Sequence, residues 1–336
     1  MARPPPHQDP VFQEQFQIVE ERFRLMFSDT AEVRSIIDKG LRFSRPTQNI
    51  ENKLNLFERN FFSEELLQAL ICGGSQYKLS PISYIWQRLV DNRIMLKSTG
   101  HFPGILVDHQ MDIVALLRHL EDNTFANLFA PPSNLLSRYG GAIVAVDVTT
   151  APGDLHRASA FIVQLQPHGS IYLVTCKHNV DPAEGIVVNA LTTADGESLF
   201  VEQFVLSEAH DIAFARLRVE PDEPVFRFAE IPQVFDEVYT VGFPHVPRAQ
   251  PVLLGHRGEV NGIADLYREA CSVIVISNLV SPGSSGCPVL AADGHCVGMT
   301  IQWLEEKWGE ESEERMRFSV ALTPDLIKSF LKGEVK

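Results

Sequence analysis

The 336-residue chain lacks the features that mark a membrane, secreted or zinc-binding protein. It has no run of about 20 apolar residues, so no bilayer-spanning helix is expected, and its N-terminus lacks the apolar stretch of a signal peptide. Its five cysteines form no CxxC pair, which argues against a zinc site and against a disulfide framework. We therefore expect a protein of the reducing cytoplasm, with no metal, no other cofactor and no membrane association.

Basic residues are scarce in the second part of the chain. Residues 136–336 contain 27 acidic and 15 basic residues, whereas residues 1–135 contain 16 and 14. The second part would repel phosphate groups, so nucleic acid is not an expected partner. The same excess of acid attracts basic peptides, although a negative net charge also serves solubility alone.

The hydrophobic pattern changes after the first 130 residues. Before that point, apolar residues at spacings of three and four, such as Phe16, Val19 and Phe23, predict helices. Beyond it, short β-branched runs between turn residues predict an all-β barrel or sandwich, followed by one last helix. We therefore expect an α+β multidomain protein, with an all-α domain over residues 1–130 and a β domain over residues 131–336.

Three separated segments carry the residue types of a nucleophilic site. Ser285 lies in a Gly-x-Ser-Gly-x-Pro frame, His178 follows one strand-like run, and Asp211 precedes another. A serine hydroxyl needs a base within hydrogen-bond reach, and that base needs an orienting carboxylate. We predict that Ser285 is the nucleophile, His178 the general base and Asp211 the orienting group. The backbone amides of Gly283 and Ser285 are predicted to bind the oxyanion.

These motifs extend to a family resemblance. From Ser137 to Lys336 the chain resembles trypsin-like serine peptidases, most closely their HtrA-like branch, on the segments Thr175-Cys-Lys-His178, Asp211-Ile-Ala213 and Ser281-Pro-Gly-Ser-Ser-Gly286. The resemblance implies a double six-stranded β-barrel with a C-terminal helix. The base and the carboxylate would come from the first barrel and the serine from the second. The N-terminal helical region is not covered.

The resemblance also implies a specificity pocket beside the serine. Leu279, Val280, Gly298 and Met299 would line it, and their apolar character suggests an aliphatic side chain before the cleaved bond. The alternative is that Leu279 and Met299 belong to the core. Cys287 stands where the family has a second glycine, which is expected to make the site sensitive to thiol reagents.

The segment from Gln302 to Arg317 is open to two interpretations. It carries six glutamates between Glu305 and Glu314. By resemblance it borders the substrate cleft and attracts basic residues of a substrate. Alternatively it is a solvated excursion without a binding role.

The leading hypothesis is an intracellular serine endopeptidase that works through an acyl-enzyme. Its expected partners are a protein or peptide substrate and a regulatory protein that binds residues 1–130, although these residues are equally interpreted as a scaffold. Two alternatives use the same fold. One is a peptide-binding module that turns over poorly, and the other is an esterase or acyl hydrolase with the same triad.

Overall fold

The computed structural model describes residues 10–44, 50–73, 80–97, 109–151, 153–166, 169–217, 224–246, 252–267, 270–307 and 315–333. The chain divides into two compact units, Met1–Pro131 and Pro132–Lys336. Within these ranges, no helix has both the length and the apolar character that crossing a bilayer requires.

The N-terminal unit consists mainly of helices. They are α1 (Pro10–Ser28), α2 (Thr30–Ser44), α3 (Ile50–Glu58), α4 (Glu64–Cys72), α5 (Ser80–Asp91) and α6 (Ile113–Glu121). A small sheet that the helical pattern does not predict accompanies them, in the order β1 (Phe61–Phe62), β3 (His109–Met111) and β2 (Met95–Lys97). Phe23, Ile37 and Leu67 are fully buried in the core that the helices share.

Helix α4 shows how local sequence sets the limits of an element. Ser63 precedes it in an extended conformation, and its side chain accepts a hydrogen bond from the Leu66 amide. Gly73 ends it in the left-handed conformation, and its amide donates to the Ala69 carbonyl. A hydroxyl before a helix pairs with a free amide of its first turn, and the amide of a glycine after it pairs with a free carbonyl of its last turn.

The C-terminal unit consists of strands between two helices. The strands of its first sheet are β4 (Ile143–Thr149), β5 (Leu155–Gln164), β6 (Ile171–Thr175), β7 (Val187–Thr193), β8 (Val205–Leu206) and β9 (Ala213–Arg216). Those of its second sheet are β10 (Glu237–Gly242), β11 (Leu254–Leu266), β12 (Cys271–Ile276), β13 (Pro288–Ala291), β14 (Cys296–Lys307) and β15 (Arg315–Leu322). The helices are α7 (Asn134–Arg138) and α8 (Pro324–Leu331).

Both sheets have six strands, and all their pairings are antiparallel. The first has the order β7-β4-β5-β6-β9-β8, and the second is a closed barrel in the order β10-β11-β12-β15-β14-β13. One core cluster joins them, with Phe161 and Leu173 from the first sheet, Leu290 and Met299 from the second, and Ile327 from α8. The α+β fold class, with N-terminal helices, six-stranded β-sheets and a C-terminal helix, is thereby confirmed.

The packing of α2 on α4 predicts an effect of one methyl group on stability. A Cβ atom built on Gly40 would lie 2.4 Å from the Ala69 carbonyl oxygen. We expect Gly40→Ala to lower the free energy of unfolding by about 1–3 kcal/mol, although alanine has the higher helix propensity. Urea denaturation of the full chain, followed by helical circular dichroism, measures the change. Gly255→Ala is the control, since nothing lies within 4 Å of its new methyl group. A gain of stability in Gly40→Ala would contradict the close approach.

Candidate active site

The first sheet positions His178 and Asp211. His178 lies in a short 3-10 turn directly after β6, and Asp211 lies two residues before β9. Strands β6 and β9 are antiparallel neighbours, with Thr175 opposite Ala213. The end of one strand and the start of the other therefore bring the two side chains together.

Two hydrogen bonds join His178 to Asp211. The distance from His178 Nδ1 to Asp211 Oδ2 is 2.7 Å, and the His178 backbone amide donates to Asp211 Oδ1 at 3.0 Å. The carboxylate therefore holds both the main chain and the ring of His178. With Nδ1 occupied in this way, the second ring nitrogen, Nε2, is directed away from Asp211.

This contact shifts the pKa of each partner. Burial by itself lowers the pKa of His178, but the hydrogen bond to Asp211 and the negative charge of Asp211 outweigh it, so the pKa lies above its ordinary value. Burial by itself raises the pKa of Asp211, but the hydrogen bonds from the His178 side chain and from the His178 and Lys177 amides lower it. Asp211 is thus ionised at neutral pH, and the imidazolium form of His178 is stabilised.

A buried serine shapes the turn that carries Asp211. Ser207 is fully buried, and its hydroxyl oxygen accepts hydrogen bonds from the amides of Ala209 and His210. Its own amide donates to the Ile212 carbonyl. Ser207 therefore closes a tight turn around Asp211, a role for which the sequence carries no recognisable motif.

The loop between β12 and β13 carries Ser285 and requires glycine on both sides of it. Gly283 has a φ of 90° and Gly286 a φ of 87°, which is the left-handed region. A Cβ on Gly286 would lie 2.0 Å from the Ser159 carbonyl oxygen, and one on Gly283 would lie 2.6 Å from that of Phe243. Gly286 is thus needed for the approach of the first sheet, in addition to its place beside the hydroxyl.

The predicted oxyanion donors are the amides of Gly283 and Ser285. The Pro282 carbonyl accepts a hydrogen bond from the His245 amide at 2.7 Å. In a trans peptide the C=O and N–H groups point in opposite directions, so the Gly283 N–H points away from His245. Among the residues that the structure describes, neither the Gly283 amide nor the Ser285 amide has a hydrogen-bond partner. Neither donor is thus committed to another group of these residues.

The carbonyls of Gly283, Ser284 and Ser285 all have donors. Ser159 Oγ donates to the Gly283 carbonyl at 2.8 Å, and the Ser159 amide donates to the Ser285 carbonyl at 3.1 Å. Thr300 Oγ1 donates to the Ser284 carbonyl at 2.5 Å. The loop is thus fixed by β5 of the first sheet and β14 of the second.

Ser285 is joined by its backbone to the segment that carries His178. The side-chain amide of Asn179, the residue after His178, donates to the Ser285 carbonyl at 3.1 Å. The Ser285 hydroxyl itself donates to the Ile301 carbonyl oxygen at 2.5 Å. The structure thus brings the three predicted triad segments to one place, with the hydroxyl hydrogen-bonded to β14.

The four predicted pocket residues differ in their surroundings. Leu279 is 65% exposed and Val280 is 8% exposed. Met299 is fully buried in the core cluster, and a Cβ on Gly298 would lie 2.7 Å from the Leu322 carbonyl oxygen. Their role in specificity stays a prediction.

The acidic segment continues the strands of the barrel. Strands β14 and β15 extend as a hairpin to the pair Lys307↔Arg315. Residues 308–314, which carry four of the six glutamates, lie outside the described residues. The two interpretations of the segment therefore stay open.

Three side chains at the site are of the types that bind metal ions. The ligand atoms of Cys176, His178 and Asp211 lie within 4.8 Å of one another. However, burial, and then the charge of Asp211, raises the pKa of Cys176 well above its ordinary value, whereas a metal binds the thiolate. The Cys176 thiol donates instead to the Thr300 carbonyl at 3.3 Å.

One family model matches part of the C-terminal unit. Residues 158–299 match the family model described as the trypsin-like peptidase domain. The predicted resemblance to trypsin-like serine peptidases is thus confirmed for this part of the chain. No curated protein matches the sequence.

Several solved structures are similar at low identity. The Rv3671c protease of M. tuberculosis in its active form is 15% identical with a TM-score of 0.45, over 59% of this chain and 82% of that one. The HtrA-type protease AlgW with a tripeptide is 17% identical with a TM-score of 0.46, over 61% and 65%. A serine endoprotease of Yersinia pestis is 16% identical with a TM-score of 0.45, over 61% and 66%. The chain thus spans less than two thirds of the last two.

The charge of Asp211 predicts the titration of His178. We expect a pKa of the His178 imidazole above the ordinary value of about 6.5. In Asp211→Asn it should fall below that value, because burial then acts without the opposing carboxylate. Proton NMR of the imidazole Cε1–H signals measures both, and the signal absent from His178→Gln identifies the residue. An unchanged pKa in Asp211→Asn would contradict the coupling.

Burial of Cys287 corrects the expectation of thiol sensitivity. Its side chain is 2% exposed, and burial raises its pKa to about 11, so little thiolate is present at neutral pH. We expect iodoacetamide to leave Cys287 unmodified in the folded protein and to modify it in urea. Peptide mass spectrometry reads the modification of each cysteine separately. Rapid modification under native conditions would contradict the burial.

Proposed function

We propose that the protein is a serine endopeptidase with Ser285, His178 and Asp211 as its catalytic triad. The observation that carries this proposal is that a His178–Asp211 pair and a serine loop with two available amides lie at the junction of two six-stranded sheets in a trypsin-like peptidase domain. Each of these groups has a defined role in acyl transfer.

The proposed reaction begins with a rotation of the Ser285 hydroxyl away from the Ile301 carbonyl. Its proton passes to His178 Nε2 as Oγ bonds to the substrate carbonyl carbon, and the amides of Gly283 and Ser285 donate hydrogen bonds to the negative oxygen that forms. His178 then gives the proton to the leaving amine, and the C–N bond breaks to leave an acyl-enzyme. Water, activated by the same imidazole, hydrolyses the ester and restores Ser285.

Asp211 has two roles in this scheme. It orients the ring so that Nε2 is the nitrogen that accepts the proton, and its charge stabilises the imidazolium that forms. Only the neutral ring acts as a base. Activity should therefore fall as pH decreases through the raised pKa of His178.

A second candidate is a peptide-binding module with poor turnover. The hydrogen bond from Ser285 to Ile301 favours it, because the hydroxyl is then committed to β14. The third, an esterase or acyl hydrolase, uses the same groups. We place the peptidase first because residues 158–299 match the family model of a trypsin-like peptidase domain.

We also propose a peptide or protein substrate, a regulatory partner of residues 1–130 and a reducing compartment. The acidic balance of residues 136–336 supports a substrate with basic residues. Five reduced cysteines support the compartment. Affinity purification with residues 1–131 deleted or retained tests the partner.

Fluorophosphonate labelling tests the proposed triad. The probe should label the parent protein, and Ser285→Ala should abolish labelling because the nucleophilic oxygen is lost. Asp211→Asn should slow it by about 10⁴-fold, the loss typical of a removed triad carboxylate. Ser284→Ala is the matched control, since it removes the neighbouring hydroxyl and leaves the nucleophile.

Two outcomes distinguish the competing functions. An unlabelled parent protein would support the binding module. A labelled protein that cleaves esters but releases no new N-termini from a peptide library, or from cell extract relative to Ser285→Ala, would support the acyl hydrolase.

A further inference from the structure

The hydroxyl, the amide and the carbonyl of Ser159 all form hydrogen bonds at the candidate site. It is fully buried in β5. Its hydroxyl donates to the Gly283 carbonyl at 2.8 Å and accepts from the Phe243 amide at 2.9 Å. Its amide donates to the Ser285 carbonyl at 3.1 Å, and its carbonyl accepts from Thr175 Oγ1 at 2.7 Å. A buried hydroxyl with this many partners has one orientation.

Asn179 reaches the same carbonyl from the segment of the general base. It is 6% exposed, and its side-chain NH2 donates to Thr175 Oγ1 and to the Ser285 carbonyl, both at 3.1 Å. Since Thr175 also donates to Ser159, the two residues form one hydrogen-bonded network. This network links the backbone next to His178 with the backbone of the nucleophile.

The network fixes two peptide planes that decide the geometry of the loop. The Gly283 carbonyl belongs to the peptide unit between the two units that carry the oxyanion amides. The Ser285 carbonyl belongs to one of the two units that flank the Ser285 Cα, so its orientation helps to set the direction of the Ser285 hydroxyl. The N–H of a trans peptide is fixed once its carbonyl is held. Rotation of either plane would misalign a donor or the nucleophile.

On the basis of the proposed function, we infer that Ser159 and Asn179 are positioning residues of the active site. Neither touches the reacting atoms. They act through the Gly283 and Ser285 carbonyls and keep the oxyanion amides and the nucleophile in a fixed place relative to His178. Misplacement by about 1 Å costs an enzyme up to about 100-fold in rate.

Labelling kinetics of Ser159→Ala and Asn179→Ala test this inference. The probe is a fluorophosphonate, used over a range of concentrations and pH on the full chain. We expect the maximal labelling rate to fall about tenfold or more in each variant, with an unchanged half-saturating concentration. The acid-side midpoint of the pH profile should not move, because the His178–Asp211 pair is intact.

Thr193→Val is the matched control. Thr193 is buried in β7 of the same unit, and its hydroxyl oxygen accepts a hydrogen bond from the Glu197 amide at 3.0 Å. This variant loses a buried hydroxyl outside the network, so it should lose stability in urea without losing labelling rate. A merely structural role of Ser159 would give it the behaviour of the control.

The outcomes separate this inference from the proposed function. If Ser159→Ala and Asn179→Ala both have the same maximal labelling rate as the parent protein, the positioning roles are overturned. The proposed triad would be unaffected by that result. No labelling of the parent protein would overturn the proposed function, and the positioning roles with it. If Ser159→Ala does not fold, Asn179→Ala decides, because it removes only a side-chain amide and leaves every Ser159 contact.

Discussion

The hydrogen bond from the Ser159 amide to the Ser285 carbonyl joins the two sheets of the C-terminal unit where the candidate site lies. A buried carbonyl without a donor costs about 1–3 kcal/mol, so a loop that turns its carbonyls inward is stable only where donors are already in place. β5 and β14 supply these donors. The position of the nucleophile is therefore a result of hydrogen-bond satisfaction between sheets, and not of the loop sequence alone.

Burial has different effects on the protonation of Asp211 and of the two thiols near the site. Asp211 receives hydrogen bonds from His178 that offset the cost of burying its charge. For the thiols of Cys176 and Cys287, burial outweighs the hydrogen bonds that lower the pKa, so both stay protonated at neutral pH. A site with two thiols nearby therefore retains one candidate nucleophile, which is the Ser285 hydroxyl.

The sequence predicted the parts of the structure that depend on local pattern. Phe16, Val19 and Phe23 lie in helix α1, as their spacing predicts, and the short β-branched run Ile171–Thr175 forms strand β6. Strand β11, Leu254–Leu266, has no such local signal, because it contains three glycines and few β-branched residues. It is a strand because β10 and β12 pair with it on either side, and a single-sequence pattern does not contain that information.

The residues of the candidate site also divide into those that a local sequence pattern predicts and those that it does not. His178, Asp211 and Ser285 stand in recognisable frames, whereas Ser159 and Asn179 do not. Ser159 lies within Ala158-Ser-Ala-Phe161, where one hydroxyl in an apolar strand is the only signal. Three of its four hydrogen bonds are to residues more than 80 positions away in the sequence. Long-range hydrogen bonds of this kind depend on how the sheets meet.

The bond between the His245 amide and the Pro282 carbonyl involves main-chain atoms alone. Its formation is indifferent to the side chain at position 245, with proline as the one exception, because proline has no N–H. The exposed side chain at position 245 can therefore change without altering the hydrogen bond that sets the direction of the Gly283 amide. Divergent relatives can share the geometry of this loop with little identity of sequence around it.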